Sequence, residues 1–106
     1  MQLYGLRTCD TCRKARAALP HARFVDVRMH GVPETTLTLA LERFGPDLVN
    51  TRSTTWRGLS ETDRARPAAD LLTAHPTLMK RPLIVDDAGN LHLGWSPQTR
   101  HRLGVD

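Results

Sequence analysis

The chain has 106 residues, of which 40% are hydrophobic and 25% charged, with a net charge of +4. That length suits one domain able to bury a core unaided, and no apolar run approaches the ~18 residues of a membrane span. Thirteen of the fifteen cations are arginines, scattered from Arg7 to Arg102, so a basic nucleic-acid tail is excluded and a solvated surface with anion-binding forks is favoured.

Met1 to Leu6 alternates as a strand and leads through Arg7-Thr8 into Cys9-Asp10-Thr11-Cys12, which holds the only two cysteines. A helix is predicted from about Asp10 to Leu19, with Ala15, Ala18 and Leu19 on one face and Pro20 as its stop. Phe24 to Arg28 reads as a second strand. Gly31-Val32-Pro33-Glu34 opens a further helix whose stripe is Leu37, Ala40, Leu41 and Phe44, and Gly45 ends it. Pro46 to Asn50 offers one more helical turn, and Thr51 to Trp56 is expected to be a polar loop. Ser60 to Asp63 resembles an N-cap with a short helix behind it, and another helix is predicted from Ala68 to about His75. Arg81 to Asp87 is a third strand entered through Pro82. Asp87-Ala88-Gly89-Asn90 turns it back into a fourth, Leu91 to Trp95, as a hairpin. Ser96 at N-cap and Pro97 at N1 start a last helix reaching Leu103.

The order is therefore β-α-β, an all-helical middle, then β-β-α. Joined, the two ends make one four-stranded mixed sheet with helices on both faces, the thioredoxin-like α/β arrangement. The expectation is a single domain over residues 1–106 with a helical insertion over 32–79, between the second and third strands.

The two thiols stand three apart at a strand-to-helix junction. Thiolate is the attacking species, and a helix N-terminus supplies unpaired N–H groups and partial positive charge that favour it. Cys9, just before the first turn, is the expected nucleophile, with Arg7 and Arg13 adding to the field. Cys12, one turn on, is placed to resolve a mixed disulfide. Zinc is disfavoured: one CxxC supplies two of four ligands, and the five histidines show no H-x₃₋₅-H spacing, so no metal is expected. Two inert core cysteines are the bland alternative. For Pro82 a trans strand-edge proline is the ordinary outcome, a cis one the alternative. Trp56 and Trp95 read as packing residues.

Four stretches then carry a resemblance: Leu3 to Ala15, Leu48 to Arg57, Lys80 to Ile84, and Leu93 to Ser96. Together they resemble the arsenate reductase-like (ArsC/Spx) family, which contains arsenate reductases, the Spx transcriptional regulators and a poorly characterised reductase-like branch. The segment Asn50-Thr51-Arg52-Ser53-Thr54-Thr55-Trp56-Arg57 is similar to that last branch. The resemblance implies that Cys9 is the nucleophile, that Arg52 and Arg81 bind an oxyanion, and that Pro82 is cis. The third family arginine has no counterpart, since Leu93-Gly94-Trp95-Ser96 stands where it would be, so arsenate turnover is expected to be weak or absent. Cys12 departs from the glutaredoxin-coupled arsenate reductases and matches the Spx pattern, in which CxxC is a redox switch.

The expected function is a thiol-dependent reductase, coupled to glutathione or glutaredoxin, with glutathione as a co-substrate rather than a bound cofactor. The alternative is an Spx-like redox-sensing regulator that docks on RNA polymerase; the basic first helix favours it, while the reductase-branch motif and the short C-terminus count against it. The start of the chain shows no charged leader or apolar signal core, so a cytoplasmic location is expected. No membrane association, no direct nucleic-acid binding and a monomeric state complete the expectation.

Overall fold

In the computed structural model, which describes residues 1–105, the chain divides into two compact units. One comprises Met1–His30 together with the chain from Arg81 onward; the other is Gly31–Lys80.

The first unit holds the whole sheet. Strand β1 (Gln2–Gly5) pairs in parallel with β2 (Arg23–Asp26) and antiparallel with β3 (Leu83–Val85). Strand β4 (Leu91–Leu93) closes the hairpin with β3, so the order is β2-β1-β3-β4. The sheet is mixed and four-stranded, as the β-α-β … β-β-α order requires. Helix α1 (Asp10–Ala18) is the crossover between the parallel strands, and α7 (Pro97–Arg102) follows β4.

The register lines Phe24, Leu3, Ile84 and His92 in one row across the four strands. Leu3 and Ile84 are fully buried and form one core with Ala15 and Leu19 of the α1 segment. Trp95 and Leu103, on either side of α7, pack against it. Strand side chains alternate between faces, so the next row, Val25, Tyr4, Leu83 and Leu93, lies on the opposite side. On the edge strand β2, the Phe24 ring lies under two guanidiniums, Arg16 at 4.2 Å and Arg7 at 5.5 Å. Those contacts cover an aromatic ring that the edge position would leave half-wet.

All four strands stop short of the expected bounds, and at β2 and β4 the cause is visible. Strand β2 ends at Asp26 because its Oδ1 accepts the Arg28 N–H at 2.9 Å, turning Val27–His30 into a helical turn, α2, instead of more strand. Strand β4 ends at Leu93 because Gly94, at φ 82°, takes the chain into the left-handed region. The β3–β4 turn is tied by Asp86: Oδ1 accepts the N–H groups of Ala88 (3.0 Å) and Asn90 (2.9 Å), and Oδ2 bonds Nε2 of buried His92 at 2.9 Å. The His92 contact, with those N–H groups, holds the Asp86 carboxyl below its ordinary range. A depressed carboxyl pKa stabilises the fold at any pH above the unfolded value of about 3.9 and withdraws that contribution as pH falls through the folded value. Asp86→Ala also strands the His92 ring, whose Nδ1 has no hydrogen-bond partner among the described residues. The expected loss is about 2 kcal/mol by urea unfolding at pH 7, shrinking as pH falls through the lowered folded value of the Asp86 carboxyl. A pH-independent loss would contradict the assignment.

In the second unit, α3 (Glu34–Phe44) buries Leu37 and Ala40 and ends at Gly45. A 3₁₀ turn, Gly45–Leu48, then leads to α4 (Thr54–Arg57), α5 (Glu61–Arg64), α6 (Ala68–Ala74) and a second 3₁₀ turn, Pro76–Leu78. The two ends of that run meet in an antiparallel bridge at Val49 and Met79, with the Asn50 N–H bonded to the Leu78 carbonyl at 2.7 Å and the Lys80 N–H to the Leu48 carbonyl at 2.8 Å. Helix α4 begins inside Thr51–Trp56, where a loop is expected, and runs on to Arg57. Its cause is Ser53, whose hydroxyl caps the Trp56 N–H at 3.1 Å and starts a turn through two β-branched threonines. Arg64 stacks on Trp56 at 5.5 Å and donates from Nε to the Trp56 carbonyl, so this tryptophan packs within its own unit. Among the described residues no helix is long and apolar enough to cross a membrane.

Candidate active site

The dithiol stands where β1 hands over to α1. Cys9 is the N-cap of α1, with extended φ −85° and ψ 121°, and its carbonyl accepts the Arg13 N–H at 3.0 Å. Its own N–H returns to the Leu6 carbonyl at 3.2 Å, which tightens the connecting loop and leaves the thiol half-buried. Cys12 is one turn into the helix and wholly buried. Both thiols are free.

Their electrostatic environments differ in sign. Partial burial opposes ionisation of Cys9, but the Cys12 N–H, the Cys12 thiol and the Arg81 guanidinium together outweigh it and lower the Cys9 pKa. The sulfur makes no well-formed capping bond, so the Cys12 N–H acts on it mainly as an oriented dipole. Cys12 is pushed up to about 11, chiefly by burial; the Leu6 N–H is the main opposing influence, the neighbouring Cys9 sulfur adds to the rise, and Arg81 pulls down least. The outer sulfur is thus the one that ionises first, and the inner one keeps its proton at neutral pH. Once Cys9 is capped by a covalent adduct, its charge is gone, and with it part of what raises Cys12.

Arg81 reaches the thiol from the far end of the unit. It lies two residues before the first residue of β3, and the Arg81–Pro82 peptide bond is cis. Pro82 is buried, with its carbonyl accepting the Gly94 N–H at 2.8 Å. The other two cations expected to act on the sulfur are otherwise engaged: Arg13 bonds Asp10 at 2.7 Å, and Arg7 lies over Phe24. Spacing alone gave no reason to prefer Arg81, which is remote in sequence and adjacent only through the sheet.

The match to the ArsC family model runs over residues 4–102. The chain belongs to the ArsC family. It is 32% identical over 104 residues to the global transcriptional regulator Spx of Bacillus subtilis, covering 89% of this chain and 79% of that protein. Among solved structures, the YFFB protein matches with a TM-score of 0.83 at 29% identity, over 95% of this chain and 96% of that one. A possible arsenate reductase from Streptococcus mutans matches with a TM-score of 0.72 at 27% identity, over 89% of each chain. The mixed sheet and its helices are those of a thioredoxin-like ArsC fold, and this ArsC-family chain is a thiol-dependent reductase-like protein.

Cys9, Cys12, Arg81 and Pro82 all lie in the sheet-bearing unit of this ArsC-family protein. Arg52 lies in the helical unit, on the exposed turn before α4, where its N–H bonds Asn50 Oδ1 at 3.0 Å. Leu93, Gly94, Trp95 and Ser96 join β4 to α7, and Trp95 packs on the core. Among the described residues no three His, Cys, Asp or Glu side chains gather as a metal site would need. Sequence reasoning missed the Leu6 N–H directed at the Cys12 sulfur. A backbone donor carries no residue-type signal.

Proposed function

We propose that this protein is a dithiol reductase of anionic disulfides of the glutathione class, with Cys9 as nucleophile and Cys12 as the resolving thiol. The observation that carries the reading is the asymmetry of the two sulfurs, one lowered and the other raised to about 11. The Cys9 thiolate attacks one sulfur of the substrate disulfide, forming a mixed disulfide and expelling one thiolate. The Cys12 thiol gives its proton to the second leaving sulfur and attacks Cys9, closing the Cys9–Cys12 disulfide. The substrate gains two electrons and leaves as two thiols. A glutaredoxin dithiol then returns the protein to its reduced form; two equivalents of glutathione do so where the substrate is a disulfide other than glutathione disulfide itself.

Arg81 serves twice in this scheme, favouring the thiolate and presenting a guanidinium to a carboxylate of the incoming molecule. Arg52 enters from the family resemblance as an anion-binding residue. Its replacement by alanine is expected to raise KM for glutathione disulfide and leave the Cys9 alkylation profile unchanged. The lack of a third arginine keeps arsenate a poor substrate.

The test is the rate of iodoacetamide alkylation against pH. Cys9 should titrate below the ordinary thiol value of about 8.5. Arg81→Leu removes a cation that favours the charged form, so the inflection moves up and alkylation at pH 7 slows. An unshifted inflection at or above 8.5 in the parent protein sinks the activated nucleophile.

The Spx relative supports a second reading, a redox-sensing regulator in which the same dithiol is oxidised once and changes binding to RNA polymerase. Retention of polymerase on the oxidised protein at micromolar concentration, without turnover of disulfides, would favour it over catalysis.

A further inference from the structure

We infer that Gly5 is a positioning residue for the dithiol: its missing Cβ makes the recess in β1 that holds the Cys12 sulfur against Cys9. The inference rests on the dithiol reading above and adds the element that makes Cys12 usable as the resolving thiol. A Cβ built on Gly5 would lie 2.5 Å from Cys12 Sγ and 3.2 Å from Cys12 Cβ. The first distance is far inside van der Waals contact, so a side chain at position 5 and the sulfur at its present place exclude each other.

The backbone does not explain this glycine. Positive φ values occur at Gly31, Gly45, Gly89, Gly94 and Gly104, but not at Gly5. Gly5 is the last residue of a central, parallel-paired strand, where a glycine forfeits packing and gains nothing in a turn. Gly58 is the other glycine without a positive φ, and a Cβ there meets only backbone oxygens at 3.5 and 3.6 Å. What Gly5 offers is room. Leu3 and Gly5 share the face of β1 that α1 covers, and Leu3 packs in the core with Ala15, one helical turn beyond Cys12.

Three groups then fix the inner sulfur. Gly5 leaves the space, the Leu6 N–H points at it, and its thiol proton is directed at Cys9. In a glutathione adduct on Cys9, this sulfur must reach the Cys9 sulfur and expel glutathione, whose thiolate takes up the proton that Cys12 loses. A Cβ at position 5 forces Cys12 into another rotamer, away from the place where it touches both Gly5 and Cys9. The first attack is spared, and the second is impaired.

The test uses Gly5→Ala, Cys12→Ala and the double variant, full chain throughout. Equilibration with reduced and oxidised glutathione gives the effective concentration of Cys12 for closing the disulfide. Gly5→Ala is expected to lower it by about ten-fold or more, with the mixed disulfide on Cys9 accumulating in proportion. Thermal unfolding of the reduced proteins completes a cycle. Gly5→Ala should lower the midpoint in the parent and lower it much less when Cys12→Ala has removed the sulfur. If Gly5→Ala alone does not fold, recovery of folding in the double variant carries the same meaning, and failure of both overturns the proposal. An unchanged effective concentration, or equal midpoint losses in both backgrounds, also overturns it. A parent protein that forms no adduct with glutathione disulfide sinks the reductase reading, while the unfolding cycle still tests the Gly5–Cys12 contact.

Discussion

Cys9→Ser should abolish disulfide reduction, lowering turnover of glutathione disulfide by at least about 10³-fold. The serine oxygen fills nearly the same space at the same N-cap, so the fold and the anion contacts persist. What disappears is a group whose ionisation is favoured by its surroundings and that can be joined reversibly to sulfur. Neither the Arg81 guanidinium nor the α1 N-terminus compensates, because both act by favouring a charge that serine does not carry at any working pH. Cys12→Ser is the informative companion. It leaves the first attack in place, so intact-mass analysis after a challenge with glutathione disulfide should show one adduct, held on Cys9. The parent protein under the same challenge should end as the internal disulfide with no adduct. Residual turnover in Cys9→Ser above a few per cent would move the nucleophile elsewhere. Persistent adduct in the parent would remove Cys12 from the resolving role.

The order of elements was readable because its signals are local. Ser96-Pro97 is an N-cap followed by proline at N1, and the structure starts α7 there with the Ser96 hydroxyl bonded to the Thr99 N–H at 3.2 Å. Ser60 likewise caps the Asp63 N–H at 3.1 Å. The stripe Leu37-Ala40-Leu41-Phe44 identifies α3, although only Leu37 and Ala40 are fully buried, the other two lying half-covered. What composition hides is side-chain competition for the backbone. Phe24 to Arg28 looks like five residues of strand until the Asp26 carboxylate takes the Arg28 N–H out of the ladder. Thr51 to Trp56 looks like a loop until Ser53 caps a turn within it.

The site divides along the same line. Cys9 and Cys12 announce themselves by spacing at a strand-to-helix junction, and the structure puts them there with opposite shifts. Pro82 stands out as a strand-entry proline, but Arg81 comes only through the family resemblance, because the antiparallel β1–β3 pairing that brings it to the thiol is non-local. Arg7 and Arg13 were the nearer cations in sequence, yet Phe24 and Asp10 engage them. Proximity along the chain is a poor guide where an aromatic ring or a carboxylate competes for the same guanidinium. Gly5 was legible in principle, since a glycine inside a strand asks what approaches it, but the answer needed the coordinates.

Ile84→Ala should be the most damaging core substitution in the sheet-bearing unit, costing about 3 to 4 kcal/mol in urea unfolding. Ile84 is fully buried at the centre of the row that runs from Phe24 through Leu3 to His92, and it closes the core with Ala15 and Leu19. Removing its outer carbons loses their transfer free energy and leaves a cavity between a central strand and α1 that neither can collapse into. A domain of this length holds roughly 5 to 15 kcal/mol in all, so the loss is a large share of the total. Leu39→Ala is the matched control: Leu39 is 54% exposed, and its loss should stay within about 0.5 kcal/mol. The slope of the unfolding curve should be unchanged in both, since the surface exposed on unfolding scarcely differs. The folded fraction of Ile84→Ala should keep the low Cys9 inflection, because β3 loses volume while the groups that touch the sulfur remain. A loss below about 1 kcal/mol would mean that the α1–sheet contact is looser than the packing shows.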